Sequence, residues 1–152
     1  MKDRASATWT VHVDRSPKEV FDYLADVRRV AEWSPKAYRV EGLADGPVHQ
    51  GTTFTSYGWL PKDDDHRNDV EITDFVAPSR LRMVSRDDGG DTVNTYVLTP
   101  DGQGTRVDRT MDLPRPGGFQ GAIFPMVVSA FIKPGVGKGM KMLKSNLEGA
   151  AG

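Results

Sequence analysis

Between residues 36 and 113 the sequence is cut by five turn-forming clusters, "ADGP", "KDDDHRND", "APS", "DDGGD" and "PDGQG". The text between them alternates apolar and polar residues. "AYRVEGL" sets Tyr38 and Val40 against Arg39 and Glu41, and "NDVEITDF" sets Val70 and Ile72 against Asp69, Glu71 and Thr73. "RLRMVSR" sets Leu81 and Met83 against Arg80, Arg82 and Arg86, and "TRVDRTMDL" sets Val107, Met111 and Leu113 against Arg106, Asp108, Thr110 and Asp112. Period-two alternation is the mark of a strand with one wet face. Connections this short join antiparallel neighbours. Two segments leave their parity open. In "GTTFTSYGW" either face suits a core. In "VNTYVLT", Asn94, Tyr96 and Leu98 form one candidate inner set and Val93, Thr95 and Val97 the other. A meander with one polar face must cover its other face with something.

The flanks supply that cover. "WTVHV", residues 9–13, reads as a first strand with Trp9, Val11 and Val13 on one side. "SPKEVFDYLADVRRVAEWSP", residues 16–35, then marks two short helices. Ser16, Pro17 and Glu19 make a capping box with proline in the first helical position. Asp26 can cap the second helix, and Ser34-Pro35 ends it, because a residue before proline is pushed out of the α region. At the other end, residues 119–132, "FQGAIFPMVVSAFI", are apolar all round, and Val136, Met140, Leu143 and Leu147 recur at helical spacing. The expected element is a helix, or two, broken near Pro134, where a backbone donor is missing.

Composition narrows the classes. A chain of 152 residues is expected to be one domain, residues 1–152. Without cysteine there is no disulfide, thiolate zinc site or cysteine nucleophile. With 20 basic and 21 acidic residues interspersed, a nucleic-acid partner is not expected, since phosphate neutralisation wants a concentrated basic face. "MKDRASATWT" lacks the apolar stretch of a secretion signal. No run reaches the roughly 18 apolar residues that span a bilayer. The expectation is a cytoplasmic protein without stable membrane insertion.

The order of elements, together with "VDRSPKEVFDYLADVRRVAEWSP", "GLADGPVHQGTTF", "VEITDFVAPSRL", "YVLTPDGQGTRV" and "MLKSNLE", resembles the START and birch-pollen-allergen (SRPBCC) superfamily. More narrowly it resembles the bacterial polyketide cyclase/dehydrase and lipid-transport proteins, over roughly Trp9 to Glu148. The resemblance implies an α+β helix-grip. A curved antiparallel sheet of six or seven strands wraps a long C-terminal helix, two short helices lie between the first two strands, and a cavity separates sheet from helix. It implies binding or transport of a small hydrophobic molecule such as a lipid, polyketide or aromatic compound. One alternative is an enzyme of the cyclase/aromatase kind; another is a partner-binding domain with a collapsed cavity. No cofactor or metal is implied. Pro125 and Pro134-Gly135 depart from the uninterrupted last helix of many relatives, and no catalytic motif of the aromatase relatives maps onto this sequence.

Candidate site residues follow from strand parity and from that architecture. Arg109 shares parity with Val107, Met111 and Leu113, so it faces the apolar side. A guanidinium there needs a carboxylate, hydroxyls or an anionic ligand group. The alternative is a marginal arginine paired with a surface acid or reaching water. Asn94 and Tyr96 join Arg109 and Met111 if their parity is inward. Trp33 ends the second short helix, at the cavity mouth or simply in the core. Phe124, Val127, Val128 and Phe131 can roof a pocket, or part of that run, with Lys133 and Lys138 nearby, can meet a bilayer. His12 faces water and His49 and His66 lie in turns, which offers no Ser/His/Asp arrangement. "DDDHRND", residues 63–69, lacks the spacing and glycine of a calcium loop and reads as a solvated tip.

Overall fold

In the computed structural model, which describes residues 4–36, 38–59, 63–115 and 117–149, seven strands form one antiparallel sheet. They are β1 (Arg4–Val13), β2 (Tyr38–Glu41), β3 (Thr53–Gly58), β4 (Arg67–Val76), β5 (Arg80–Asp87), β6 (Gly90–Asp101) and β7 (Gly104–Pro114). The spatial order is β1-β7-β6-β5-β4-β3-β2, so six strands run as a meander and β1 returns to lie beside β7. Alternation set the faces as expected. Val70, Ile72, Leu81, Leu98, Val107 and Met111 are buried, while Asp69, Arg80, Arg82, Arg86 and Arg106 are exposed. Both open parities resolve inward for Phe54 and Ser56 on β3 and for Tyr96 and Leu98 on β6. The first strand is longer than its alternating core, beginning at Arg4 rather than Trp9.

Helix α1 (Pro17–Ala25) starts where the capping box places it: the Ser16 hydroxyl accepts from the Glu19 N–H at 3.2 Å, with Pro17 in the first turn. A 3₁₀ turn (Val27–Glu32) follows, with the Asp26 carboxylate accepting from the Arg28 N–H at 3.2 Å. Val20, Phe21, Leu24 and Val27 are buried, so this pair of short elements plugs one end of the sheet.

The C-terminal helix departs from expectation. It is not broken near Pro134. Helix α2 (Gly118–Val127), a π turn (Val128–Ile132) and α3 (Lys133–Gly149) run on without interruption. Two local devices let proline sit inside. Pro125 has no N–H for the Gly121 carbonyl, and the Arg115 guanidinium fills that acceptor instead, through Nε at 3.1 Å and Nη2 at 3.0 Å. Before Pro134 the helix widens, and Lys133 N–H donates to the Val128 carbonyl five residues back. A wide turn relieves the clash that a proline ring makes with a tightly wound preceding turn.

Helix α3 buries Val136, Met140, Leu143 and Leu147 against the sheet. Each such side chain contributes about 1.5–3 kcal/mol on full burial. Polar ties fix its position: Trp9 Nε1 donates to the Lys133 carbonyl, and Asn146 Nδ2 donates to the Glu32 carbonyl, both at 3.0 Å. Gly139 allows the closest approach, since a Cβ there would stand 3.0 Å from the Trp33 carbonyl oxygen. The helix thus rests directly on the plug.

Candidate ligand-binding cavity

Sheet and helix do not meet everywhere. Between them lies a cavity of about 430 Å³, so the interior is not the collapsed one of the partner-binding alternative. Its floor comes from the inward positions of β3 to β7, among them Ser56, Val70, Met83, Asn94, Tyr96, Arg109 and Met111. Val127, Phe131, Ile132 and Val136 form the roof, and Val30, Trp33 and Tyr38 close the plug end. Of the nine residues singled out from sequence, the structure brings seven to this space: Trp33, Asn94, Tyr96, Arg109, Met111, Val127 and Phe131. Phe124 and Val128 lie off the lining. Val128 is buried and Phe124 half-buried against the core. The π turn changes which side chains point down, and Ile132 joins Val127 and Phe131 on the lining.

Arg109 is the most informative group. It is only 8% exposed, yet among the described residues no carboxylate lies within ion-pairing distance. Its Nε donates to Asn94 Oδ1 at 3.0 Å. Its guanidinium carbon lies 5.2 Å from the centre of the Tyr96 ring and 6.0 Å from that of Trp33. Both contacts are weakly stabilising cation–π pairs. The two Nη groups have no acceptor among the described residues, and Arg109 lines the cavity. A permanent cation is thus held beside apolar walls by neutral partners alone.

The surrounding groups are kept neutral. Burial pushes the Tyr38 phenol up to about 12, a shift that the Ser56 hydroxyl and the Arg109 charge partly oppose. Burial also raises Tyr96, against the pull of Arg109. Both therefore remain O–H donors across the neutral range. Trp33 Nε1 is buried without a hydrogen-bond partner among the described residues, its ring edge-on to Tyr96 with centroids 6.5 Å apart.

Sequence reasoning had placed Tyr38 inward but assigned it no role, and it passed over a second polar end of the cavity. Asn68, Ser85, Asp87 and Thr92 line that end. The pairings Val70↔Ser85 and Ser85↔Thr92 set them on the same inner face. Strand parity extended past Met83 and below Asn94 finds them. Asp87 Oδ2 is hydrogen-bonded with His66 Nε2 at 2.8 Å, and Asp87 Oδ1 accepts from Gly89 N–H, also at 2.8 Å. The sequence thus assigned His66 to a turn, and the fold pairs it with a cavity-lining carboxylate.

A seven-stranded antiparallel sheet packed against a long C-terminal helix, with a hollow between them, defines an α+β helix-grip fold. The chain belongs to the polyketide cyclase/dehydrase and lipid transport family, which it matches over residues 4–148. No curated protein matches it. Among solved structures it is similar to protein CV1439 from Chromobacterium violaceum, at 18% identity and a TM-score of 0.71, covering 95% of this chain and 98% of that one. It is also similar to protein Ms6760 from Mycobacterium smegmatis, at 17% identity and a TM-score of 0.70, covering 95% and 92%. A protein from Arthrobacter aurescens is similar at 18% identity and a TM-score of 0.70, covering 93% and 85%. At these identities the likeness speaks for the fold alone.

Proposed function

We propose that the protein binds a small, mostly apolar molecule carrying one anionic or strongly accepting oxygen group, such as a carboxylate, phenolate or enolate. The apolar body occupies the space under Val127, Ile132 and Val136, and the oxygen group meets the Nη groups of Arg109. The observation that carries this reading is the buried guanidinium with unpartnered donors and, among the described residues, no carboxylate partner. Desolvating a cation costs several kcal/mol unless something answers its charge, and a bound anion does so. Tyr38, held protonated, adds a donor on the same side.

A second reading, turnover of a bound poly-ketone, has one observation in its favour: Asp87, paired with His66, lies on the cavity lining. It lies far from Arg109, however. Arg109 Nε bonds Asn94, which pairs with Met83. From Met83 to Asp87 the strand advances roughly 13 Å at about 3.3 Å per residue. A base and an oxyanion site serving one enolisation must sit within a few ångströms of one substrate atom. Carriage is the better reading.

The test uses a matched pair of ligands, an apolar aromatic carboxylic acid and its methyl ester, titrated by tryptophan fluorescence. A charge-assisted hydrogen bond contributes about 1.5–3 kcal/mol, so the acid should bind about 10- to 100-fold tighter, at one site per chain. Equal affinity for acid and ester would remove the proposal.

A further inference from the structure

Helix α2 and the π turn after it carry an apolar face that the fold leaves bare. Phe119, Met126 and Phe131 are 77%, 69% and 72% exposed. Along the continuous helix the exposed positions Phe119, Ala122, Met126, Ala130, Pro134, Lys138 and Lys141 follow at three- or four-residue spacing, which makes one stripe. Its first half is apolar and its second half cationic.

The charge along this segment of the chain has one sign. From Leu113 to Leu147 the chain contains no aspartate or glutamate, and it contains Arg115, Lys133, Lys138, Lys141 and Lys144. Lys144 pairs with Glu148 at 2.7 Å. Among the described residues the other four make no ion pair, while acids and bases elsewhere on the surface pair freely, as in Lys18–Asp22 and Arg39–Asp65.

We propose that this face docks on an anionic lipid bilayer, with Phe119, Met126 and Phe131 in the headgroup–acyl boundary and the cations among the lipid phosphates. Interfacial binding rises with buried apolar area and with attraction to anionic lipid. A second copy of this chain is the competing occupant. A parallel two-fold pairing would set the cationic half-stripes against each other, and an antiparallel one through the middle of the stripe would set each against the partner's apolar half. The helix lies on the membrane rather than crossing it. One 18-residue window within Gly118–Gly149 is apolar enough to span and only 17% buried, but α3 is held in the fold by Leu143, Leu147 and the Trp9 and Asn146 hydrogen bonds. Phe131 belongs to both the bare face and the cavity lining, so docking places the cavity mouth against the lipid. The docking stands independently of what the cavity holds.

The experiment is co-flotation of the purified full chain with vesicles of phosphatidylcholine mixed with phosphatidylserine, and with phosphatidylcholine alone. Strong flotation with the mixed vesicles and weak flotation with the neutral ones is the expected result. The Phe119→Ser/Met126→Ser double variant should stay at the bottom of the gradient. Lys138→Gln/Lys141→Gln should lower partitioning about five-fold per lysine. All four side chains are exposed and none lines the cavity, so unchanged thermal melting of each variant is the control for folding. Absence of flotation, or flotation equal in wild type and both variants, overturns the proposal. So does a dimeric solution mass that the Phe119→Ser/Met126→Ser variant abolishes, which would assign the face to a second copy.

Discussion

Replacing Arg109 with Met should separate stability from binding. Methionine retains much of the apolar stem beside Tyr96 and removes a charge whose only hydrogen-bond partner among the described residues is Asn94, at 3.0 Å. Burying a cation costs several kcal/mol after relaxation. Against this stand one charge-assisted hydrogen bond of about 1.5–3 kcal/mol and two ring contacts of about 0.5–2 kcal/mol each. The terms nearly cancel, so the unliganded variant should be as stable as the parent or more stable by up to about 2 kcal/mol. At about 2–4 °C per kcal/mol for a chain of this size, the melting temperature should hold or rise by several degrees. Affinity should move the other way, with an apolar carboxylate losing about 10- to 100-fold and its ester almost nothing. Urea unfolding of unliganded protein and fluorescence titration of both ligands supply the two readouts. A loss of more than about 3 kcal/mol in the unliganded state, the cost of breaking a buried ion pair, would mean that Arg109 holds the fold together. Unchanged affinity for the acid would mean that it anchors nothing.

Leu143→Ala removes a fully buried side chain where α3 meets the sheet, and chemical denaturation should record a loss of about 2–5 kcal/mol. Arg115→Met leaves the Gly121 carbonyl without the donor that Pro125 cannot supply; amide hydrogen exchange should accelerate across residues 118–127 while β6 and β7 stay protected. His12 is raised from 6.5, first by its hydrogen bond with Asp14 and then by that with Asp101. Because the folded value lies above the unfolded one, its contribution is fully present below pH 6.5 and is lost as pH rises through the folded value. Unfolding midpoints of wild type and His12→Gln should therefore converge towards alkaline pH, and an NMR titration of the imidazole should give a midpoint above 6.5.

The capping of α1, the buried faces of β4, β5 and β7, and the core stripe of α3 were all legible, because each depends on local chemistry or on a fixed period. A serine three residues before the amide that it caps, or a valine every second residue, carries its consequence within a few positions. The long helix was misjudged at Pro134 for the converse reason. What accommodates Pro125 and Pro134 is a guanidinium from outside the helix and a change of winding, and neither has a local signature.

Residue by residue, then, the sequence determined which face of most strands turns inward and that an arginine shares the apolar side with Val107 and Met111. Only the tertiary structure decided that this arginine meets Asn94, two aromatic rings and open space instead of a carboxylate. It alone paired His66 with Asp87 and turned Phe119, Met126 and Phe131 outward. Parity is a property of one strand, whereas partnership depends on how far a curved sheet and a widened helix stand apart.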